Sequence, residues 1–229
     1  MTIPYANRDI RQRELVPPEK LAQVHAIVIG VGAIGRQVAI QLAAVGILAL
    51  DLIDHDVVSE ENLAPQGYWP SDIGQPKVEA TARLCRQTNP MMSVEVRAER
   101  FRRSSAKSLK LLADPSARPV VFCCVDSIAT RKLVWETLRG RADLFLDGRM
   151  SAEVLRVLAV DRPKDDGHYA STLFAADQAY AGSCTAKSTV YTASIAAGLM
   201  LSQFTKWLRG LPVDRDVTLN LLAAELSVS

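Results

Sequence analysis

The stretch AIVIGVGAIGRQVAIQLAAVGILALDLIDHD, residues 26–56, contains the pattern that decides the fold. An apolar run leads directly into Gly30, Gly32 and Gly35, spaced G-x-G-x-x-G, and an apolar-periodic segment and a second apolar run follow. This order predicts a buried strand, a tight turn, a helix and a second strand of a parallel sheet. Because glycine has no Cβ, the turn allows the backbone to approach a pyrophosphate at the positive end of the helix. The sequence therefore predicts a nucleotide site at residues 30–35.

Polar residues gather after the second predicted strand. Asp54 lies about 20 residues beyond Gly35, where a carboxylate can accept hydrogen bonds from ribose hydroxyls. The polar residues that follow it are Asp56, Asn62, Gln66 and Lys77. The glycine turn alone does not distinguish NAD, FAD and ATP. An NAD-dependent oxidoreductase has no use for these further groups, whereas a nucleoside triphosphate needs cations to match its charge. ATP is favoured, and the oxidoreductase stays open as an alternative.

Two further features lie on either side of this segment. Downstream, the apolar run 120–125 ends in Asp126, a position expected at the ligand-binding edge of a parallel sheet. Upstream, Arg8 and Arg11 are three residues apart and share one face if the segment is helical.

In order and spacing, residues 5–135 resemble the ThiF/MoeB/HesA family of adenylating enzymes, bacterial relatives of the ubiquitin-activating enzymes. The family pattern is R-x-x-R-Q, G-x-G-x-x-G, D-x-D-x-V-x-x-x-N-L, I-G-x-x-K, and an Asp at a later strand end followed by an Arg. The matching positions here are Arg8, Arg11, Gln12, Gly30, Gly32, Gly35, Asp54, Asp56, Asn62, Leu63, Ile73, Gly74, Lys77, Asp126 and Arg131.

The resemblance implies an ATP-dependent adenylyltransferase that acts on a ubiquitin-like or sulfur-carrier protein ending in Gly-Gly. It implies a single adenylation domain over residues 1–229: a helical arm at 1–24, a Rossmann-like core at 25–150, and a crossover loop, helix and strands at 151–229. The glycines, Asp56 and Gln66 would belong to the nucleotide site. Asp54 would bind the ribose, Asn62 would orient the phosphates, Lys77 would bind them, and Asp126 would hold Mg²⁺. Arg11 would reach the γ-phosphate of the neighbouring subunit in a homodimer.

One position departs from the family pattern. The family usually reads N-L-x-R-Q, with an arginine that contacts phosphate, but this chain has Pro65 there. Proline supplies neither a guanidinium nor a backbone donor. Three explanations stay open: Arg36 or Arg131 substitutes, adenylation is slower, or the chain is a non-catalytic partner subunit.

Cys184 is a candidate nucleophile. It ends a long irregular segment, 161–186, and precedes the predicted helix 189–208, with Ser183 or Thr185 as a possible cap. A thiol at a helix N-terminus near Lys187 is expected to ionise readily. In the family, a cysteine after such a loop accepts the activated carrier as a thioester or persulfide. The alternative is a small packing residue.

Composition narrows the classes of function. The chain has 229 residues, 48% of them hydrophobic, which suits one α/β domain. A net charge of +2 with interspersed signs gives no support for nucleic-acid binding. We expect no membrane span, no signal peptide and a cytoplasmic location. The four cysteines form no C-x-x-C pair and the three histidines are scattered, so no structural zinc is expected.

Alternating strands and helices predict a doubly wound, mainly parallel sheet with a C-terminal antiparallel extension. The predicted strands are 26–29, 49–53, 93–98, 120–125, 144–147 and 154–160, with an edge strand or partner-contact strand at 217–228. The predicted helices are 36–45, 77–88, 104–113, 129–139 and 189–208.

Overall fold

The computed structural model describes residues 7–109, 116–163, 166–173 and 188–229. Its strands are β1 Val24–Ile29, β2 Ala49–Ile53, β3 Ser93–Arg97, β4 Arg118–Cys123, β5 Leu144–Ser151, β6 Val154–Asp161, β7 Asp216–Asn220 and β8 Glu225–Val228. Its α-helices are α1 Pro18–Leu21, α2 Ala33–Val45, α3 Leu63–Gln66, α4 Lys77–Thr88, α5 Ser105–Ser108, α6 Ile128–Leu138, α7 Gly167–Ser171 and α8 Val190–Arg209.

All eight strands form one sheet in the order β3-β2-β1-β4-β5-β6-β7-β8. Strands β1 to β5 pair in parallel, and β6, β7 and β8 continue the sheet in antiparallel pairs. The predicted fold class is confirmed. The parallel strands end at one common edge, which collects the glycine turn after β1, Asp54 after β2 and the loop after β4. Ligands of open parallel sheets bind at this edge.

Both faces of the parallel strands are covered, which explains why the runs 26–29 of β1 and 120–123 of β4 are continuously apolar rather than alternating. On one face, α2 and α8 pack against a core that includes Val28 and Phe122. On the other, α6 and α7 cover a second core that includes Ile27 and Phe145. Apolar side chains from α8 therefore bury the same sheet face as α2, and the helix ends in Gly210 in the left-handed conformation.

The N-terminal arm differs from the prediction. Residues 7–15 form turns rather than a helix, and only Pro18–Leu21 is helical. Arg8 donates to the carbonyl of Ala43 at 2.5 Å, and Gln12 donates to that of Val45 at 2.8 Å. These carbonyls belong to the last turn of α2, which lacks intrahelical donors. The arm is shaped by this helix end, so Arg8 and Arg11 do not share a helical face as predicted.

The C-terminal prediction was also wrong in form. Residues 217–228 are not a single edge strand, because a turn at Leu221 to Ala224 divides them into β7 and β8. The side chain of Asn220 accepts the N–H of Ala223 at 3.2 Å, and Ala224 has a φ of +55°. The turn folds the last strand back as a hairpin.

Other predicted elements are found with shifted ends. The predicted helix 104–113 is described only over Ser105–Ser108, and the rest lies partly outside the described residues. Within the predicted irregular segment 161–186, the structure shows the end of β6 and the short helix α7, which Asp166 caps by accepting the N–H of Tyr169. In the described part of the chain, no helix combines the length and the apolar character needed to cross a membrane.

Candidate functional site

The glycine turn is constrained by close backbone packing. Gly30 has a φ of +85°, and a Cβ there would lie 2.7 Å from the carbonyl oxygen of Cys124. A Cβ on Gly35 would lie 1.8 Å from the carbonyl oxygen of Gly30. A Cβ on Gly32 would meet no protein atom within 4 Å. Gly30 and Gly35 are therefore required by the fold, whereas Gly32 leaves space in front of the N-terminus of α2.

Asp54 holds this turn from the end of β2. Its Oδ2 accepts the N–H of Val31 at 2.6 Å, and its Oδ1 accepts the N–H of Asp56 at 2.8 Å. A carboxylate offers about four lone-pair positions. Asp54 therefore keeps acceptor capacity for a ligand while it fixes the glycine turn, which is compatible with its predicted contact with ribose.

Lys77 and Asp56 form a pair beside Asp54. The backbone N–H of Lys77 donates to the carbonyl of Asp56 at 2.9 Å, and its Nζ lies 3.0 Å from Oδ2 of Asp56. Burial raises the pKa of Asp56. The hydrogen bond and the charge of Lys77, together with the charges of His55 and Arg100, lower this pKa by a larger amount. The pKa of Asp56 therefore lies below its ordinary value. The pair holds the Lys77 ammonium at the carboxyl edge, where the resemblance implies a phosphate.

Asn62 and Gln66 lie in the segment that follows. The Oδ1 of Asn62 accepts the N–H and the hydroxyl of Ser59, both at 3.0 Å, in a capping box. Its NH₂ group has no partner among the described residues. The Oε1 of Gln66 is buried and makes no hydrogen bond. Both side chains thus keep unused hydrogen-bonding groups, which is what a polar ligand at this segment would need.

Neither Arg36 nor Arg131 can replace the missing family arginine in this arrangement. Arg36 is 2% exposed, donates to the carbonyl of Gly67 at 2.9 and 3.2 Å, and lies 4.2 Å from the ring centroid of Tyr68. Arg131 is 5% exposed and pairs with Asp147. Both guanidinium groups are directed into the protein. The structure contradicts the suggestion that one of them substitutes at Pro65.

The position of Asp126 differs slightly from the prediction. Strand β4 ends at Cys123, so Asp126 lies in the loop between β4 and α6 rather than at the end of a strand. Cys124 still donates its N–H to the carbonyl of Ile29 at 2.8 Å, after which the chain leaves the sheet. Asp126 is exposed and its side chain has no partner in the described part of the chain. It directly follows the backbone of Cys124 and Val125, which packs against Gly30, so the backbone of Asp126 lies next to the glycine turn.

Arg11 lies far from the site of its own chain. The arm is anchored at the C-terminal end of α2, whereas the glycine turn precedes the N-terminal end. This helix has 13 residues, so the two ends are about 20 Å apart. Arg11 is exposed. Its predicted contact with a phosphate therefore requires a second subunit.

Cys184, with Ser183, Thr185 and Lys187, lies outside the described residues. The other three cysteines lie in the described part, where burial raises the pKa of Cys85 to about 12 and also raises the pKa of Cys123 and Cys124. Within that part, the group Asp54, His55 and Asp56 offers donor atoms within 4.8 Å of one another. Its two carboxylates already bond the glycine turn and Lys77.

The structural roles of Tyr68 and Arg36 in organising the site were not predicted from the sequence. Tyr68 donates its hydroxyl to the carbonyl of Val31 at 2.7 Å and so joins the segment after Asn62 to the glycine turn. Arg36 anchors the same segment through Gly67. The one available signal was a charged Arg36 within the apolar face of a predicted buried helix, which indicates a buried partner.

The geometry suits the phosphates and the ribose of a nucleotide. The turn leaves open space at Gly32, and no side chain caps the N-terminus of α2. The buried Oε1 of Gln66 accepts no hydrogen bond from the described residues. An uncapped helix N-terminus with a glycine turn suits phosphate, because its N–H groups and dipole face the anion. The acceptors of Asp54 suit ribose.

Comparison with known proteins identifies relatives. The chain is 35% identical to SUMO-activating enzyme subunit 1 of Xenopus laevis over 100 residues, covering 43% of this chain and 29% of the relative. It is 33% identical to the SAMP-activating enzyme E1 of Haloferax volcanii over 121 residues, covering 52% and 43%. It is 31% identical to the sulfur carrier protein ThiS adenylyltransferase of Escherichia coli over 115 residues, covering 50% and 44%. The matches span less than half the length of each relative.

Solved structures show the same fold. PaaA superposes with a TM-score of 0.76 at 20% identity, covering 97% of this chain and 68% of PaaA. Escherichia coli MccB with ATP superposes with a TM-score of 0.72 at 17% identity, covering 98% and 72%. At these identities the likeness concerns the fold alone. The model of the ThiF family, in contrast, matches residues 7–226, which is nearly the whole chain. This chain therefore belongs to the ThiF family.

Proposed function

We propose that this chain catalyses the ATP-dependent adenylation of the C-terminal carboxylate of a small protein, of the ubiquitin-like or sulfur-carrier type and ending in Gly-Gly. The observation that carries the proposal is the joining of Asp54, the glycine turn and the Lys77–Asp56 pair at one edge of the sheet. The names of the relatives support the substrate class, since they include activating enzymes and a sulfur-carrier adenylyltransferase.

In the proposed reaction, a carboxylate oxygen of the carrier attacks the α-phosphorus of ATP. The bond between the α-phosphorus and the bridging oxygen breaks, and pyrophosphate leaves with that electron pair. The carrier then holds AMP as a good leaving group. The protein's part is to position two anions and to balance their charge. Lys77 and the N-terminus of α2 serve the phosphates, and Asp54 orients the ribose.

Asp126 would hold Mg²⁺, which neutralises phosphate charge when bound. Its exposed carboxylate has no described partner and its backbone lies next to the glycine turn, so the donor fits a hard cation. Asn62 and Gln66 would complete the nucleotide contacts with their unused amide groups.

The site would be completed by a homodimer. The arm that carries Arg11 is bound to the far end of α2. A guanidinium there cannot reach its own glycine turn, about 20 Å away by the length of α2. We infer that Arg11 serves the γ-phosphate of the partner subunit. As a further part of the proposal, the Cys184 thiolate attacks the acyl-adenylate carbonyl, which forms a thioester and releases AMP. If a separate sulfane-sulfur donor first converts Cys184 to a persulfide, the terminal sulfur attacks the same carbonyl and again releases AMP.

A non-catalytic partner subunit is the second candidate function. It is favoured by Pro65, which removes the family arginine, together with the inward direction of Arg36 and Arg131. Such a subunit would keep the fold and lack carrier-dependent chemistry.

The test is carrier-dependent exchange of pyrophosphate into ATP. Asp126→Ala should abolish the exchange, because the metal loses its protein ligand. Asp143→Ala is the control, since this half-buried aspartate precedes β5 at the opposite edge of the sheet, where it pairs with Arg118. If wild type exchanges pyrophosphate into ATP and Asp126→Ala does not, the result supports the catalytic proposal. Exchange by Asp126→Ala within twofold of wild type contradicts the role of Asp126. Wild type that binds the carrier without any exchange indicates the partner subunit.

A further inference from the structure

A buried polar network lies beside the loop that carries Asp126. Its centre is the carboxylate of Asp147 on β5, which is fully buried. Arg131 of α6 donates to its Oδ1, while Nε of Arg149 and the hydroxyl of Tyr169 donate to its Oδ2, each at 2.9 Å. The carboxylate is thus satisfied by donors from α6, β5 and α7.

The network contains two guanidinium groups for one carboxylate. Further donors bond other groups. Arg131 donates to the carbonyls of Val125 and Gly148, and Arg149 donates to the carbonyl and the hydroxyl of Thr172 at 3.1 and 2.9 Å. Buried charge is expensive to desolvate, and a buried ion pair is by itself a weak source of stability. The network therefore serves mainly to hold the backbone segments to which it is bonded.

The backbone held by Arg131 belongs to the loop after β4. Val125, whose carbonyl accepts from Arg131, immediately precedes Asp126. The preceding residue, Cys124, is bound to β1 through its N–H. On the other side, Ser127 caps α6 by accepting the N–H of Thr130 at 3.1 Å. Asp126 is thus the one exposed side chain between two anchored neighbours.

We propose that Arg131 is a positioning residue, which sets the orientation of the Asp126 carboxylate by holding the carbonyl of Val125 against Asp147. The proposal rests on the metal role of Asp126 given above. It adds the residue that fixes the position of the Asp126 carboxylate. Groups that orient a metal ligand typically change metal affinity by about 10- to 100-fold when altered. Arg131 is 5% exposed and its described partners are protein groups, so the proposed effect passes through Asp126.

The informative variant is Arg131→Lys. It keeps a positive charge near Asp147, but an ammonium on a flexible stem cannot bond a carboxylate and two carbonyls in one plane, as the guanidinium does. We expect the affinity for ATP with Mg²⁺ to fall about 10- to 100-fold, and the affinity for ATP in EDTA to stay unchanged. Thermal stabilisation of the protein by nucleotide measures both affinities without any turnover.

A double-mutant cycle separates positioning from a general structural effect. If Arg131 acts through Asp126, adding Arg131→Lys to Asp126→Ala should cause no further loss of metal-dependent affinity. Additive losses in the double variant would overturn the proposal. Arg118→Lys is the control, because it alters another arginine that pairs with an aspartate, Asp143, at the opposite edge of the sheet.

A gentler variant covers the case in which Arg131→Lys does not fold. Tyr169→Phe removes one hydrogen bond to Asp147 and keeps the ring that packs against Trp135 and Phe145. It should shift the metal-dependent affinity in the same direction, by a smaller factor. The test requires that Asp126→Ala loses metal-dependent affinity for ATP. If that affinity is then unchanged in Tyr169→Phe, or in Arg131→Lys where this variant folds, the positioning role is refuted. Wild type that binds no ATP refutes the proposed function itself.

Discussion

Gly32→Ala should separate nucleotide binding from folding. A Cβ at Gly32 would meet no protein atom within 4 Å. The added methyl group would instead occupy the space in front of α2, where the pyrophosphate is proposed to lie. We therefore expect the free energy of unfolding without nucleotide to change by less than about 1 kcal/mol, as for surface substitutions.

The loss of binding can be sized from the contacts that the methyl group would prevent. Charge-assisted hydrogen bonds contribute about 1.5–3 kcal/mol each. Loss of one such bond from the phosphates, near the upper end of that range, corresponds to an affinity about 100-fold lower. At an ATP concentration of 100 Kd, wild type gains about 2.7 kcal/mol of stability, whereas the variant at the same concentration gains only about 0.4 kcal/mol. For a chain of this size, these gains are about 5–11 °C and about 1 °C in Tm.

The assay is thermal unfolding with and without MgATP, with NAD as the nucleotide control. Gly35→Ala gives the contrasting result, because its Cβ would lie 1.8 Å from the carbonyl oxygen of Gly30. It should lower Tm even without nucleotide. Gly198→Ala, in the interior of α8 with no atom nearer than 3.9 Å, should be neutral or stabilising. If Gly32→Ala is stabilised by MgATP as strongly as wild type, phosphate does not lie at this glycine.

Three further predictions concern the other site residues. Lys77→Ala should raise the KM for ATP and lower kcat in pyrophosphate exchange, because a phosphate contact serves both ground and transition states; unchanged values of both would remove Lys77 from the site. Mixing Arg11→Ala with Asp126→Ala subunits should restore exchange in heterodimers with one intact site, and a fully active monomer in sedimentation would exclude the contribution in trans. Cys184→Ala should leave exchange intact but remove a thiol-sensitive carrier adduct. Iodoacetamide should label Cys184 faster than Cys85, because burial raises the pKa of Cys85 to about 12. If both cysteines are labelled at the same rate and Cys184→Ala still completes the overall reaction, Cys184 is a packing residue.

Acid titration offers a check on the Lys77–Asp56 pair. Burial raises the pKa of Asp56, but the hydrogen bond and the charge of Lys77 outweigh this effect, so the pKa is lowered in the folded protein. A lowered pKa means that the pair stabilises the fold above the unfolded-state pKa, about 3.9, and that this contribution disappears as the pH falls through the folded value. In Lys77→Ala the pKa of Asp56 should therefore rise, which NMR titration of its carboxyl carbon would show.

Much of the site was predictable because its determinants are local. The turn at Gly30 and Gly35 needs backbone room that glycine alone provides, and the strand before it needs an apolar run. These requirements act over a few residues, so spacing alone revealed them. The position of Asp54 followed as well, since a residue after a parallel strand must lie at the carboxyl edge of the sheet.

Partners distant in the chain were not predictable in this way. Arg36 bonds a carbonyl 31 residues away, and Arg131 bonds a carboxylate 16 residues away. In sequence, both looked like cations available to phosphate. Their direction depends on which carbonyls and carboxylates the folded chain leaves unpaired and buried, because a buried charge must find such groups.

The sequence by itself determined the class of sheet, the glycine turn and the edge of the sheet at which Asp54 lies. Only the tertiary structure decided that Arg36 and Arg131 point inward, that the arm with Arg11 docks on the far end of α2, and that Asp147 collects three donors. The physical reason is the range of the interactions. Periodicity and glycine geometry are written within a few residues, whereas the pairing of buried polar groups is settled only when distant segments pack together.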